Sequence, residues 1–88
     1  MSDQRPERKP AFVPGKVVVK DPPFTGYCTV RDLSAGGAKL AFGSMPTLPV
    51  NFELCIPSQG KAHEVEVRWH RGLQVGVQFL STRNYIGR

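Results

Sequence analysis

The sequence predicts an all-β protein: a small six-stranded antiparallel β-barrel with a flexible basic arm at its N-terminus. Short β-branched or alternating runs fill residues 15–80, turn-forming residues separate them, and no segment has a helical period of useful length. In a chain of 88 residues, about six such strands must close on themselves, because open strand edges are costly. We expect one domain, with the arm at 1–14, the barrel at 15–80 and a C-terminal extension at 81–88.

Each predicted strand is bounded by residues that favour turns. β-Branched residues mark the first strand, a glycine-containing turn joins the second to the third, and a proline-rich loop follows. Strict alternation marks the last three strands, of which the final two form a hairpin. The six runs are 15–20 (GKVVVK), 26–32 (GYCTVRD), 38–42 (AKLAF), 50–57 (VNFELCIP), 63–70 (HEVEVRWH) and 73–80 (LQVGVQFL). Before them, three prolines interrupt a polar segment, which predicts an extended arm.

Alternation also predicts which side chains of the last three strands face the core. Phe52, Trp69 and Phe79 fall on the apolar faces of their strands, as does Leu73 at the start of the final run. Cys55 falls on the opposite, polar face of its strand. We therefore expect these aromatic rings to be buried in the barrel.

The charge balance favours an anionic partner. Lys and Arg total 12 against 7 Asp and Glu, a formal net charge of +5. This excess is typical of proteins that bind a nucleotide, a nucleic acid or an acidic surface, and equally of a small protein kept soluble by its charge.

The N-terminus has no apolar core of the kind found in secretory signals, and no run is long enough to span a bilayer. Cys28 and Cys55 match no zinc or redox spacing, and each lies in an apolar run, so we expect reduced, partly buried thiols. These observations predict a cytoplasmic protein without a membrane span.

The sequence contains no recognisable catalytic constellation, so we expect neither enzyme activity nor a metal site. His63 and His70 are interpreted as solvated surface histidines, since no cysteine or aspartate spacing makes either a metal ligand. No residue close to Ser34 in the sequence is a candidate general base that could activate its hydroxyl as a nucleophile. Glu64 and Glu66 share one strand face, which is typical of the solvated side.

Two segments carry a binding signal. The first is the turn within RDLSAGGAKL, residues 31–40, which contains Asp32, Ser34, Gly36 and Gly37. These residue types make hairpin turns, and they also place oxygens and bare backbone beside a polar ligand. By itself the turn does not decide between the two interpretations.

The second segment is the arm sequence RPERK, in which Arg5, Arg8 and Lys9 are cationic. Arginine suits phosphates and guanines, because its planar fork bonds two acceptors at once and its flat face stacks on a base. Basic tails are common, so this signal is weak when taken alone.

The basic cluster, the run CTVRDLSAGG and the closing VRWHRGLQVGVQFL together resemble a PilZ domain over nearly the whole chain. That family binds the bacterial second messenger cyclic di-GMP, and its signature pairs an Arg-x-x-x-Arg arm with an Asp/Asn-x-Ser-x-x-Gly turn. The turn is intact here as Asp32, Ser34 and Gly37. In the arm, Lys9 stands four residues after Arg5, where the family has its second arginine.

The resemblance implies a receptor that binds cyclic di-GMP as its ligand and needs no cofactor. Its arm would fold over the ligand, while Asp32 would accept hydrogen bonds from guanine N1 and N2, and Ser34 would add a hydroxyl. The implied ligand-binding residues are Arg5, Arg8, Lys9, Asp32, Ser34, Gly36 and Gly37. Ordering of the arm would signal in trans to an unidentified effector protein, in a setting such as motility or biofilm regulation.

Two alternatives remain at this point. A degenerate PilZ domain would bind no cyclic di-GMP and would act as a protein-interaction adaptor, an interpretation favoured by Lys9. A small basic barrel could instead bind single-stranded RNA, but such proteins display several aromatic rings on one exposed sheet face. Since the strand aromatics fall on the apolar faces, the sequence argues against nucleic acid.

Overall fold

A computed structural model describes residues 12–85 of the chain. This part consists of six strands and one short 3₁₀ turn, which lies between the fourth and fifth strands. The elements are β1 (Val13–Lys20), β2 (Pro23–Arg31), β3 (Gly37–Ala41), β4 (Asn51–Ile56), the 3₁₀ turn (Pro57–Gln59), β5 (Lys61–Arg71) and β6 (Gln74–Asn84).

The strands form a closed barrel in the order β1-β2-β3-β6-β5-β4, and each neighbouring pair is antiparallel. Pairing of β1 with β4 closes the ring, with Val17 opposite Leu54. Closure gives every strand a hydrogen-bonded neighbour on both sides, which is how a small sheet avoids exposed edges. The prediction of a six-stranded antiparallel barrel is confirmed.

The core is built from alternate residues of every strand. The largest side chains that are fully buried come from all six strands: Val17, Val30, Leu40, Leu54, Ile56, Val65 and Val75. Fully burying one such side chain contributes about 1.5–3 kcal/mol relative to leaving it exposed. No single strand can supply this core, so the barrel depends on all six being in register.

Four strands extend by two residues or more beyond the runs that predict them, including β5, which begins at Lys61. β1 begins at Val13, β2 begins at Pro23, and β6 continues to Asn84. The last residues of β6 pair with the first residues of β5 although their side chains are exposed. Alternation gives no signal there, because neither face of that segment is apolar.

The end of β5 departs from the predicted faces because the β5–β6 register shifts between Val67 and Trp69. The unpaired Arg68 forms a bulge, and the residues that follow turn to the opposite face. Trp69 is therefore 42% exposed on the outside of the barrel, and Leu73, in the hairpin turn, is 48% exposed. The prediction that these two side chains are buried is wrong.

Phe52 is buried and Phe79 is partly buried against the core, as alternation predicts. Cys55, predicted on the polar face, is instead 2% exposed, between its cross-strand neighbours on β1 and β5. Cys28 and Cys55 are both free thiols. Burial raises the pKa of both, that of Cys28 to about 12, so both stay protonated at neutral pH.

His63 is a core residue, with only 6% of its surface exposed, which contradicts its interpretation as a solvated histidine. Its ring stacks on Phe79 with centroids 4.0 Å apart, and its Nδ1 lies 2.8 Å from Thr82 Oγ1. Its Nε2 is buried and has no hydrogen-bond partner among residues 12–85. His63 is buried because it lies within β5, where the period of two places its side chain on the same inward face as that of Val65.

We predict that acidification destabilises the barrel through His63. Burial and the nearby Lys61 lower the pKa of His63 below its usual 6.5. As the pH falls, His63 is therefore protonated in the unfolded chain before it is protonated in the folded chain. The free energy of unfolding decreases below about pH 6.5, with a slope of up to about 1.4 kcal/mol per pH unit. Urea unfolding between about pH 7.5 and pH 5 measures this slope.

His63→Leu should flatten the pH dependence, whereas the matched control His70→Gln, which removes an exposed histidine, should retain it. An unchanged slope in His63→Leu would show that other groups cause the acid sensitivity.

Candidate ligand-binding site

The turn between β2 and β3 is shaped by Asp32, Ser34 and Gly37. Asp32 adopts a left-handed backbone conformation with φ of 49°, which aspartate tolerates better than most residues. The backbone N–H of Ser34 donates to the Gly37 carbonyl at 2.9 Å, and the Ser34 hydroxyl donates to the same oxygen at 3.2 Å. Ser34 therefore closes the turn as well as facing the site.

The two glycines of the turn differ in what they do. A Cβ on Gly37 would overlap the Val77 carbonyl oxygen of β6, so only glycine allows β3 and β6 to approach this closely. The Gly36 carbonyl accepts a hydrogen bond from the Phe79 N–H at 2.9 Å, but a Cβ on Gly36 would meet no atom within 4 Å. Packing within the described chain therefore requires Gly37 and does not require Gly36.

Asp32 forms an ion pair with Lys39, whose Nζ lies 2.9 Å from the Asp32 Oδ2. Both side chains are partly exposed, at 38% and 27% respectively, so the pair is accessible from solvent. The strand register places Lys39 beside Asp32, because Lys39 lies opposite Arg31, the last residue of β2. The carboxylate thus stands at the outer surface of the barrel with a cation beside it.

These residues border an open pocket of about 550 Å³ on the outer face of β3, β6 and β5. All four residues that the sequence singles out in the turn line it. The lining residues are Asp32, Ser34, Gly36, Gly37, Ala38, Lys39, Arg68, Trp69, Arg71, Gln74, Gly76, Val77 and Gln78. The turn is therefore one wall of a concave site whose other wall comes from the β5–β6 hairpin.

Trp69 provides the aromatic surface of the pocket. Its indole lies over Gly76 of β6, at a position where any Cβ would overlap the ring. The Arg71 guanidinium carbon is 5.8 Å from the indole centroid. A flat ring next to a guanidinium is an arrangement that stacks well on nucleobases. Strand alternation places Trp69 on the inner face because it does not reveal the bulge at Arg68. Gly76 inside a strand is the sequence signal of a close approach by another group.

Arg68 adds a second guanidinium to the same wall. Its Nη1 donates to the Gln78 Oε1 at 3.0 Å and lies 3.5 Å from the Glu66 Oε1. With Lys39 and Arg71, three cations of the described chain line the pocket that the Asp32 carboxylate also lines. The site can therefore donate to phosphate oxygens and accept from a base edge at the same time.

The arm residues Arg5, Arg8 and Lys9 lie outside the described residues. The described chain begins at Phe12, directly before Val13, which pairs with Val30 of β2. The arm is therefore attached at the end of the barrel where β2 leads into Asp32. A fully extended chain spans at most about 3.5 Å per residue, which puts Lys9 within about 10 Å of Phe12 and Arg5 within about 25 Å.

Two further kinds of feature are absent from residues 12–85. No group of three or more His, Cys, Asp or Glu side chains in this range is arranged to hold a metal ion. No helix in the same range has the length and apolar character needed to cross a membrane.

We predict that the two glycines respond differently to alanine. Gly37→Ala should destabilise the barrel by about 1–3 kcal/mol, because the new methyl group forces β3 away from β6. Gly36→Ala should change stability by less than about 1 kcal/mol, since the position is open and its φ is not in the left-handed region. Thermal and urea unfolding of the two variants measure the difference, and equal stabilities would contradict the close contact with Val77.

The comparisons with known proteins identify one family. The family model described as PilZ domain matches residues 3–86, which include the arm, the turn and the β5–β6 hairpin. No curated protein and no solved structure matches the chain. The match extends over nearly all of the 88 residues and includes the turn that lines the pocket. The chain therefore belongs to the PilZ domain family.

Proposed function

We propose that the chain is a cyclic di-GMP receptor without catalytic activity of its own. PilZ domains are generally associated with cyclic di-GMP binding. The observation that carries the proposal is that Asp32, Ser34, Gly36 and Gly37 line one pocket together with Trp69 and three cations. A ligand with two phosphates and two guanines needs cations, a stacking surface and a carboxylate acceptor, and the pocket combines all three.

Each part of the pocket has a role in this proposal. The Asp32 carboxylate accepts from guanine N1 and N2, a pair of donors that suits a carboxylate. The Trp69 indole stacks on the base, and Arg68 and Arg71 donate to phosphate oxygens. Gly36 keeps the turn free of side chain where the ligand approaches, which explains a glycine that packing alone does not require.

The arm closes the site in this proposal. Arg5, Arg8 and Lys9 supply cations from a segment attached beside Asp32, and the length of the chain allows all three to reach the Asp32 end of the pocket. Lys9 keeps the charge of the family's second arginine but lacks its planar fork, so Arg8 takes over the bidentate contact. Ordering of the arm on binding changes the surface that a partner protein meets, which is an order–disorder switch acting in trans in the cytoplasm.

We predict that cyclic di-GMP binds the full chain and changes the fluorescence of Trp69, which is the single tryptophan. Stacking of a guanine on the indole should alter its emission, so fluorescence and calorimetric titrations should report the same affinity. If neither heat nor a fluorescence change appears, the chain is a non-binding member of the family that acts as a protein adaptor.

We further predict that single substitutions in the arm and the turn weaken binding without unfolding the barrel. Arg5→Ala, Arg8→Ala and Asp32→Gly should each raise Kd roughly 5- to 150-fold, the equivalent of losing one good bidentate contact. Glycine is the chosen replacement at position 32 because it accepts the φ of 49°.

The matched control is Lys20→Ala, which removes one positive charge from an exposed position at the opposite end of β1. It should bind as the unsubstituted chain does. Unchanged affinity in all three test variants would refute the site, and an equal loss in the control would attribute binding to net charge alone.

A further inference from the structure

The outer face of the barrel carries a second pair of an aromatic ring and an arginine, outside the pocket described above. The Arg31 guanidinium carbon lies 4.6 Å from the centroid of the Phe12 ring. Phe12 is 70% exposed, and it lies directly before Val13 at the point where the arm joins the barrel. The barrel core does not account for this ring, because most of its surface faces solvent.

The strand register places this pair in line with the pocket. Arg31 of β2 lies opposite Lys39 of β3, Lys39 lies opposite Gly76 of β6, and Gly76 lies opposite Trp69 of β5. Neighbouring strands are about 4.8 Å apart, so Arg31 and Trp69 are separated by about 14 Å along the surface. The four residues form a row across four adjacent strands on the outside of the barrel: Arg31, Lys39, Gly76 and Trp69.

The row has the same arrangement at both ends. Trp69 with Arg71 forms one stack of a ring and a guanidinium, and Phe12 with Arg31 forms the other. Between them stands Lys39, paired with Asp32. Two flat, cation-backed surfaces fit two aromatic bases, while Lys39 between them can donate to an anionic linker and Asp32 can accept from a base edge.

The geometry points to Phe12 and Arg31 as a second base-stacking site, so that the protein binds both bases of a dinucleotide ligand, one at Trp69 and one at Phe12. The inference rests on the proposed function, and it adds a specificity that the pocket alone does not supply. A mononucleotide fills one end only, whereas a ligand with two purines and a linking phosphate fills both. Phe12 thus selects for dinucleotides over mononucleotides.

The test compares cyclic di-GMP with GMP on the full chain and on Phe12→Ala, using calorimetry and Trp69 fluorescence. Phe12→Ala should weaken cyclic di-GMP roughly 5- to 150-fold, the range for losing one base–aromatic stack, and should leave the affinity for GMP unchanged. At saturation, the change in Trp69 fluorescence with cyclic di-GMP should persist, because the base at that end is still bound. Phe12→Tyr, which keeps a ring, should restore the affinity.

The control is Tyr27→Ala, which removes another exposed ring of β2, 74% exposed, that lies off this row and opposite Lys16. It should not change either affinity. Equal weakening of both nucleotides by Phe12→Ala, or no weakening of cyclic di-GMP, would overturn the second stacking site while leaving the proposed function in place. Absence of any binding to the unsubstituted chain would overturn the proposed function itself, and this inference with it.

Discussion

The close approach of β3 to β6 at Gly37 is the contact on which the candidate site depends. Because Gly37 has no side chain, the turn at 32–37 packs directly against the Val77 carbonyl, and Phe79 of β6 donates to the Gly36 carbonyl. This contact places Asp32 and Ser34 beside a hairpin that is distant in sequence. Without it, the turn would be a connection between two strands and would face no second wall.

The outer surface near this contact mixes charges of both signs. Lys39 holds the Asp32 carboxylate, and Arg68 contacts Glu66 and Gln78. A purely cationic surface would attract any polyanion, whereas a pocket that also contains a carboxylate favours ligands that carry hydrogen-bond donors. Under the proposed function, the same argument favours a guanine, with its N1 and N2 donors, over a base that lacks such a pair.

Gly76 and the bulge at Arg68 together place the Trp69 ring on the outer face of the barrel. Gly76 leaves room for the Trp69 indole on the outside of β6, and the unpaired Arg68 turns that indole outward. The bulge also places Arg68 itself at the pocket. A single extra residue in β5 therefore converts what alternation predicts as a core tryptophan into an exposed stacking surface, and it supplies a cation next to it.

Local patterns in the sequence determined the six strands, the turn at 32–37 and most of the core, because period two and turn chemistry act over a few residues. They predicted Phe52 as buried, and the resemblance to a family singled out Asp32, Ser34 and Gly37 as a motif. The outward face of Trp69 and the row that joins Arg31 to Trp69 were decided only by the tertiary structure. Each of these depends on the register between strands far apart in the chain, and hydrogen bonds across the closed barrel set that register.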